Sequence, residues 1–397
     1  MQISAPTKLA VRQIPCAQEQ RRGLMAACLA HALHDGYTDG LYAFLPIWQS
    51  QFGLSYAGLA IVRALYFGTM GGLQVPADHL LNGISPRNAL VLSTVIAATG
   101  LAVMAVPMGF VGLCCGLVLA GIGSSIQHPR ASQLITECYG DAARRPLSLY
   151  NFSGDLGKAV LPALIALLLP VFAWRPITAS LALLGLALSL VLIKLTPWKI
   201  TPGAAISPDK VSSGRHTGFA WLLAIGAFDT ATRMGYLLFL PFLIHGRGGS
   251  SATVGIALAL LFGGGALGKA TCGWLGDHFG IVRSVVVTET TTSLLIIATL
   301  FTPLSGTLVL LPLLGIVLNG TSSVLYGTVP ELAPGGDTGR AFAVFYTGVI
   351  GAGGLAPIAY GVLADHVGRT AGQLATAATA LLIVPMVLRL GSFMKPA

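Results

Sequence analysis

Charge is what this chain has least of: Asp, Glu, Lys and Arg make up 9% of its 397 residues, 14 acidic against 23 basic. A folded domain in water carries a far richer charged surface, so a soluble globular protein is excluded. Cysteine is scarce too. The six present, Cys16, Cys28, Cys114, Cys115, Cys138 and Cys272, form no CxxC pair and no histidine-rich ligand set. A disulfide framework and a metal site are therefore not expected. GxSxG, HExxH and P-loop sequences are missing, which argues against a nucleophile elbow, a metalloprotease helix and a nucleotide-driven pump. The net charge of +9 comes from basic residues scattered singly, without a patch or interleaved aromatics. Nucleic-acid binding is not expected, and no cofactor is implied.

What is abundant is apolar: 54% of residues are hydrophobic and the mean hydropathy is +0.78. The chain reads as an integral membrane protein. Runs long enough to cross a bilayer fall at 24–48, 54–77, 88–108, 111–137, 146–170 and 175–196. Six more fall at 218–244, 251–275, 283–302, 306–329, 338–364 and 371–390. Residues 1–23 are a polar tail, 197–217 a Pro/Gly/Ser-rich linker and 391–397 a short second tail. The first apolar run is too long and too charged for a signal-peptide core, so it reads as a retained helix.

If both termini lie inside, the inner segments hold fifteen of the 23 basic residues and the outer loops three, Arg175, Arg247 and Arg369. The remaining five, Arg63, Arg130, Lys158, Arg233 and Lys269, sit within spans. That asymmetry predicts twelve helices with cytoplasmic termini, as in a bacterial inner membrane. The two sets of six also repeat: DGYTDGLYAFLP at 35–46 runs beside DTATRMGYLLFLP at 229–241. Duplicated six-span halves, 24–196 and 218–390, are the trace of a transporter whose halves rock about a central site.

The first span is expensive, because it holds His31, His34, Asp35 and Asp39. A carboxylate at mid-membrane costs roughly 2.5–3.5 kcal/mol, so these groups need a partner, a cavity or a substrate. His31, Asp35 and Asp39 share one stripe at i, i+4 and i+8, with His34 beside it. Asp35 is the expected proton carrier, tuned by His31 or His34, since carboxylates and imidazoles change charge as their hydration changes. Arg63, Arg233, Lys158 and Lys269 are candidates to hold an anion, arginine through its forked donors. Asp155, Asp229, His128 and Arg130 complete the expected substrate site. For Asp155 with Lys158, and Asp229 with Arg233, a local ion pair along one helix is the competing reading. Glu137 and Glu289 lie near helix ends and read as interfacial.

The loop GWLGDHFGIVR at 273–283 resembles the loop signature of the major facilitator superfamily, and Asp78 with His79 gives a degraded copy in the first half. Asp78, Asp277 and Arg283 are the residues this resemblance points to as a conformational latch. Within the superfamily the chain resembles the fosmidomycin-resistance-type exporters. The carrying residues are His31 and Asp35 before LPIWQSQFGLS, GIGSSIQHPRAS at 121–132, SLYNFSGDLGKAVLP at 148–162 and PEL at 330–332. This implies an all-α membrane fold of two pseudo-symmetric halves, export of a small molecule, and no enzymatic activity. The intramembrane charges favour an anionic or zwitterionic substrate moved by a proton gradient, in a monomer. Proton-symport uptake of an organic acid is the alternative; a channel would need rings of repeated polar residues, which the two halves do not share.

Overall fold

The computed structural model describes residues 17–81, 83–196, 216–335 and 338–394; the side chains of Asp78 and Asp277, and nearly all of the expected linker, lie outside the described residues. The first half contains α1 (Ala17–Phe52), α2 (Tyr56–Gly72), α3 (Gln74–Leu80), α4 (Pro86–Ala105), α5 (Gly109–Tyr139), α6 (Arg144–Leu168) and α7 (Trp174–Leu195). The second contains α8 (His216–His245), α9 (Ser251–Phe279), α10 (Ile281–Phe301), α11 (Leu304–Thr328), α12 (Thr338–Val367) and α13 (Arg369–Gly391). Nine of the described helices are long and apolar enough to cross a bilayer by length and composition alone.

The expected span 54–77 is divided. Pro76, without an N–H and with a ring aimed at the carbonyl four residues back, cannot continue α2, which ends at Gly72 before the short α3. Helix starts follow their sequences elsewhere. Ser55 accepts a hydrogen bond from the Gly58 amide at 3.1 Å to open α2, and Ser85 does the same for Asn88 ahead of Pro86 in α4. Side chains such as Leu183, Leu190, Val309 and Leu355 stand outward and exposed, the face that lipid would cover.

Packing repeats between the halves. In the first, α1 lies on α6, α4 on α7 and α2 on α5; in the second, α8 lies on α12, α10 on α13 and α9 on α11. The halves join through two helix pairs, α2 with α12 and α6 with α9. At the end of the bundle that holds the α1–α2 turn, Asp365 accepts hydrogen bonds from the amides of Tyr56 and Ala57, and Tyr56 packs edge-on against Phe242 at 5.1 Å. Midway down, Tyr42 and Arg63 both reach the Met234 sulfur at 3.4 Å.

One glycine pair fixes the distance between α1 and α6. A Cβ on Gly157 would lie 1.9 Å from the Ala32 carbonyl oxygen, and one on Gly154 would lie 2.4 Å from His31 Nε2. Only glycine permits this approach, and it brings the polar stripe of α1 against the polar face of α6.

Candidate functional site

Asp35 is the hub of the polar layer between α1, α5 and α6. Its carboxylate faces three cationic or titratable groups: Lys158 Nζ at 3.1 Å, His31 Nε2 at 3.6 Å and His128 Nε2 at 3.7 Å. His31 comes from the turn below on the same helix, His128 from α5 just before Pro129, and Lys158 from α6 one turn beyond Gly154. The imidazole of His31 stacks on Tyr150 with centroids 3.9 Å apart and meets His128 edge-on at 5.2 Å. Tyr150, Gly154 and Lys158 recur at i, i+4 and i+8, a spacing that places Tyr150 on the same stripe of α6 as Lys158.

The competing reading, a local pair of Asp155 with Lys158, is not made within 4.0 Å. Lys158 turns to Asp35 of α1, while Asp155 meets Lys269 of α9, Nζ to Oδ1 2.6 Å. The second contact spans the two halves. The local pair of Asp229 with Arg233 is likewise not made within 4.0 Å; Arg233 donates instead to Thr230 Oγ1 at 3.4 Å. His34 does not turn toward Asp35 either. Its Nδ1 lies 2.9 Å from Ser124 Oγ and its Nε2 3.3 Å from Thr94 Oγ1, so both ring nitrogens are engaged inside the first half.

Arg63 sits above the layer with its guanidinium 4.3 Å from the Tyr42 ring centroid, 4.9 Å from that of Phe67 and 4.0 Å from Asp39. The guanidinium is thus buried between two aromatic faces, whose quadrupoles attract a cation. Arg130 donates to Gln133, which donates to Glu137, a hydrogen-bonded row along α5. Arg283 is exposed at the start of α10, and the partners expected for it, Asp78 and Asp277, have side chains outside the described residues. Glu289, expected near an interface, is buried among α8, α10 and α11 at 1% exposure.

Access separates these groups into two kinds. Asp35 and Asp155 are enclosed, while the side chains of His128, Lys158 and Lys269 keep 26%, 29% and 34% of their surface open. Tyr346 of α12, 46% exposed, lies within electrostatic reach of Lys158 and Asp35 from the other half and packs on Tyr326 at 5.0 Å. The open faces of His128 and Lys158 in the first half and of Lys269 and Tyr346 in the second therefore border a crevice between the halves, with basic groups from both halves and an aromatic face from the second. His31, Asp35 and His128 also offer three ligand atoms within 4.8 Å of one another, a donor set of metal-ligating type. Lys158 already supplies a positive charge at its shared carboxylate.

The pattern of the Major Facilitator Superfamily matches residues 27–221 and again residues 222–393. The chain is 25% identical over 364 residues to the fosmidomycin resistance protein of Escherichia coli (strain K12), covering 86% of each. It is 25% identical over 408 residues to the uncharacterized MFS-type transporter YfnC of Bacillus subtilis (strain 168), covering 95% of this chain and 94% of the relative. Among solved structures, it resembles a bacterial homolog of the human lysosomal transporter Spinster in an inward-facing, occupied conformation. That likeness has a TM-score of 0.79 at 16% identity and covers 96% of this chain and all of the other.

Proposed function

Since the chain belongs to the major facilitator superfamily, we propose that this multi-pass membrane transporter exports a small anionic or zwitterionic organic molecule in exchange for protons. The observation that carries this reading is Lys158, whose ammonium is bonded to Asp35 on one side and open to the crevice on the other. An anion entering the crevice competes with Asp35 for Lys158. A carboxylate that loses its cation in a dry site gains a proton, and a carboxylate that regains the cation gives the proton up. Substrate and proton thus exclude one another at a shared lysine, which is the requirement for antiport.

Lys269, His128, Arg63 and Arg233 add basic groups from both halves to Lys158, and Tyr346 with Tyr326 gives the organic part of the substrate an apolar surface. Asp155 holds Lys269 across the halves and so ties the substrate site to their relative position. The contacts gathered at the end bearing Asp365 close that end of the crevice, so that substrate enters from the end where α1 begins and α13 finishes, which we assign to the cytoplasm on the distribution of basic residues. A single chain encloses the site in this reading, and it works as a monomer.

The test is transport by the full chain in proteoliposomes, with fosmidomycin and a panel of small phosphonates and carboxylates, with and without an imposed pH gradient. Asp35→Asn is expected to abolish gradient-driven movement while retaining exchange of anion for anion. Full gradient-driven transport by Asp35→Asn would overturn the assignment.

A further inference from the structure

Glu289 takes no part in the Asp35 cluster, yet it is among the most deeply buried charged side chains in the protein. It lies midway along α10 at 1% exposure, and its Oε1 has no hydrogen-bond partner. No ion pair reaches it within 4.0 Å among the described residues. The groups that act on it are Asp229 of α8, the Thr321 hydroxyl of α11 and, more weakly, Arg233 of α8; no charged group from α9, α11 or α13 among the described residues acts on it appreciably. Asp229 is itself buried at 3% exposure and, as described above, makes no bridge to Arg233. Two buried carboxyl groups thus lie within electrostatic reach of each other inside the second half, and Arg233 is a cation that acts on both.

Burying a single unpaired carboxylate costs several kcal/mol, and two within electrostatic reach cannot both stay ionised. The arrangement has the logic of a carboxyl dyad that shares a proton. We propose that Asp229 and Glu289 form a second proton-binding site, in the half opposite Asp35, holding one proton between two carboxyl groups.

The proton comes from and returns to water in the crevice, and no other group changes its covalent state. Arg233 connects the site to the proposed anion site: an anion that draws the guanidinium toward the crevice removes the one cation that, among the described residues, acts on both carboxyls, so occupancy by substrate and by proton are linked in this half as well. The proton site goes beyond the Asp35 reading and does not depend on it; its link to the anion site rests on the proposed function.

The experiment is infrared difference spectroscopy on the purified full-length protein, neutral against alkaline pH, in H2O and D2O. The wild type is expected to show a protonated carboxyl C=O band at neutral pH that moves in D2O. Glu289→Gln is expected to remove that band and Asp229→Asn to move it. Should Glu289→Gln fail to fold, Glu289→Asp retains the carboxyl and is expected to keep the band at an altered frequency. Absence of the band in the wild type, or its survival unchanged in both Glu289→Gln and Asp229→Asn, overturns the proposal. Asp35→Asn leaves this band in place, so loss of gradient-driven transport in that variant and loss of the dyad's band are separately readable.

Discussion

Asp365 accepts a hydrogen bond from the backbone amide of Tyr56 at 2.8 Å, although the two are 309 residues apart and belong to different halves. A second bond, from Ala57 at 3.0 Å, goes to the other carboxylate oxygen. The last turn of α12 thereby caps the first turn of α2, satisfying orphan amides with an anion at the positive end of a helix dipole. When the halves separate at this end, that cap is lost.

Asp365→Ala is accordingly expected to shift the conformational equilibrium toward opening at this end. An N-cap is worth about 1 kcal/mol, close to a fivefold change in population. Spin labels on the 53–55 and 246–250 turns should report a longer-distance component in the variant. An unchanged distance distribution would show that the cap does not hold the halves together.

Gly157→Ala should force α1 and α6 apart, since its Cβ meets the Ala32 carbonyl oxygen at 1.9 Å and neither backbone has room to yield. Overpacking of this kind costs about 1–3 kcal/mol, and the thermal unfolding midpoint should fall. Gly351→Ala, which adds a Cβ with nothing within 4 Å, is the control and should unfold as the wild type does apart from helix-propensity gains.

The Asp155–Lys269 contact bridges the halves at 2.6 Å, and a charge swap tests it. Asp155→Lys alone places three like charges, Lys158, Lys269 and the new lysine, near one another and should impair transport or folding. Adding Lys269→Asp should restore much of the loss, because the pair is re-formed with its polarity reversed. Equal defects in the single and double variants would mean that the two side chains act independently.

Arg63→Lys preserves the charge but not the planar guanidinium that lies over Tyr42 and Phe67. Stacking of this type contributes about 0.5–2 kcal/mol, and the lysine ammonium has no fork for a planar or tetrahedral anion. Anion affinity, measured by calorimetry with the probes that wild type transports, should fall in Arg63→Lys nearly as far as in Arg63→Gln. Affinity equal to wild type in both would remove Arg63 from the substrate site.

The sequence by itself determined the solvent in which this chain folds, most of its apolar runs of spanning length, their duplication and the buried polar stripe of the first span. These follow from local quantities: the length of an apolar run against the thickness of a bilayer, the 3.6-residue period that puts His31 and Asp35 on one stripe, and the cost of a charge in lipid. Who pairs with whom was decided only by tertiary structure. Asp155 and Lys158 are three apart and read as a local pair, but the close α1–α6 crossing at Gly157 delivers Lys158 to Asp35, and the α6–α9 contact delivers Lys269 to Asp155. His34 is adjacent to Asp35 in sequence, and the 100° step between neighbours on a helix sends it to Ser124 and Thr94 instead. Glu289 looked interfacial because its depth along α10 says nothing of which neighbours close over it. Periodicity fixes the face of a helix on which a residue lies; the rotation and depth of that helix against its neighbours come from long-range packing, which no local pattern encodes.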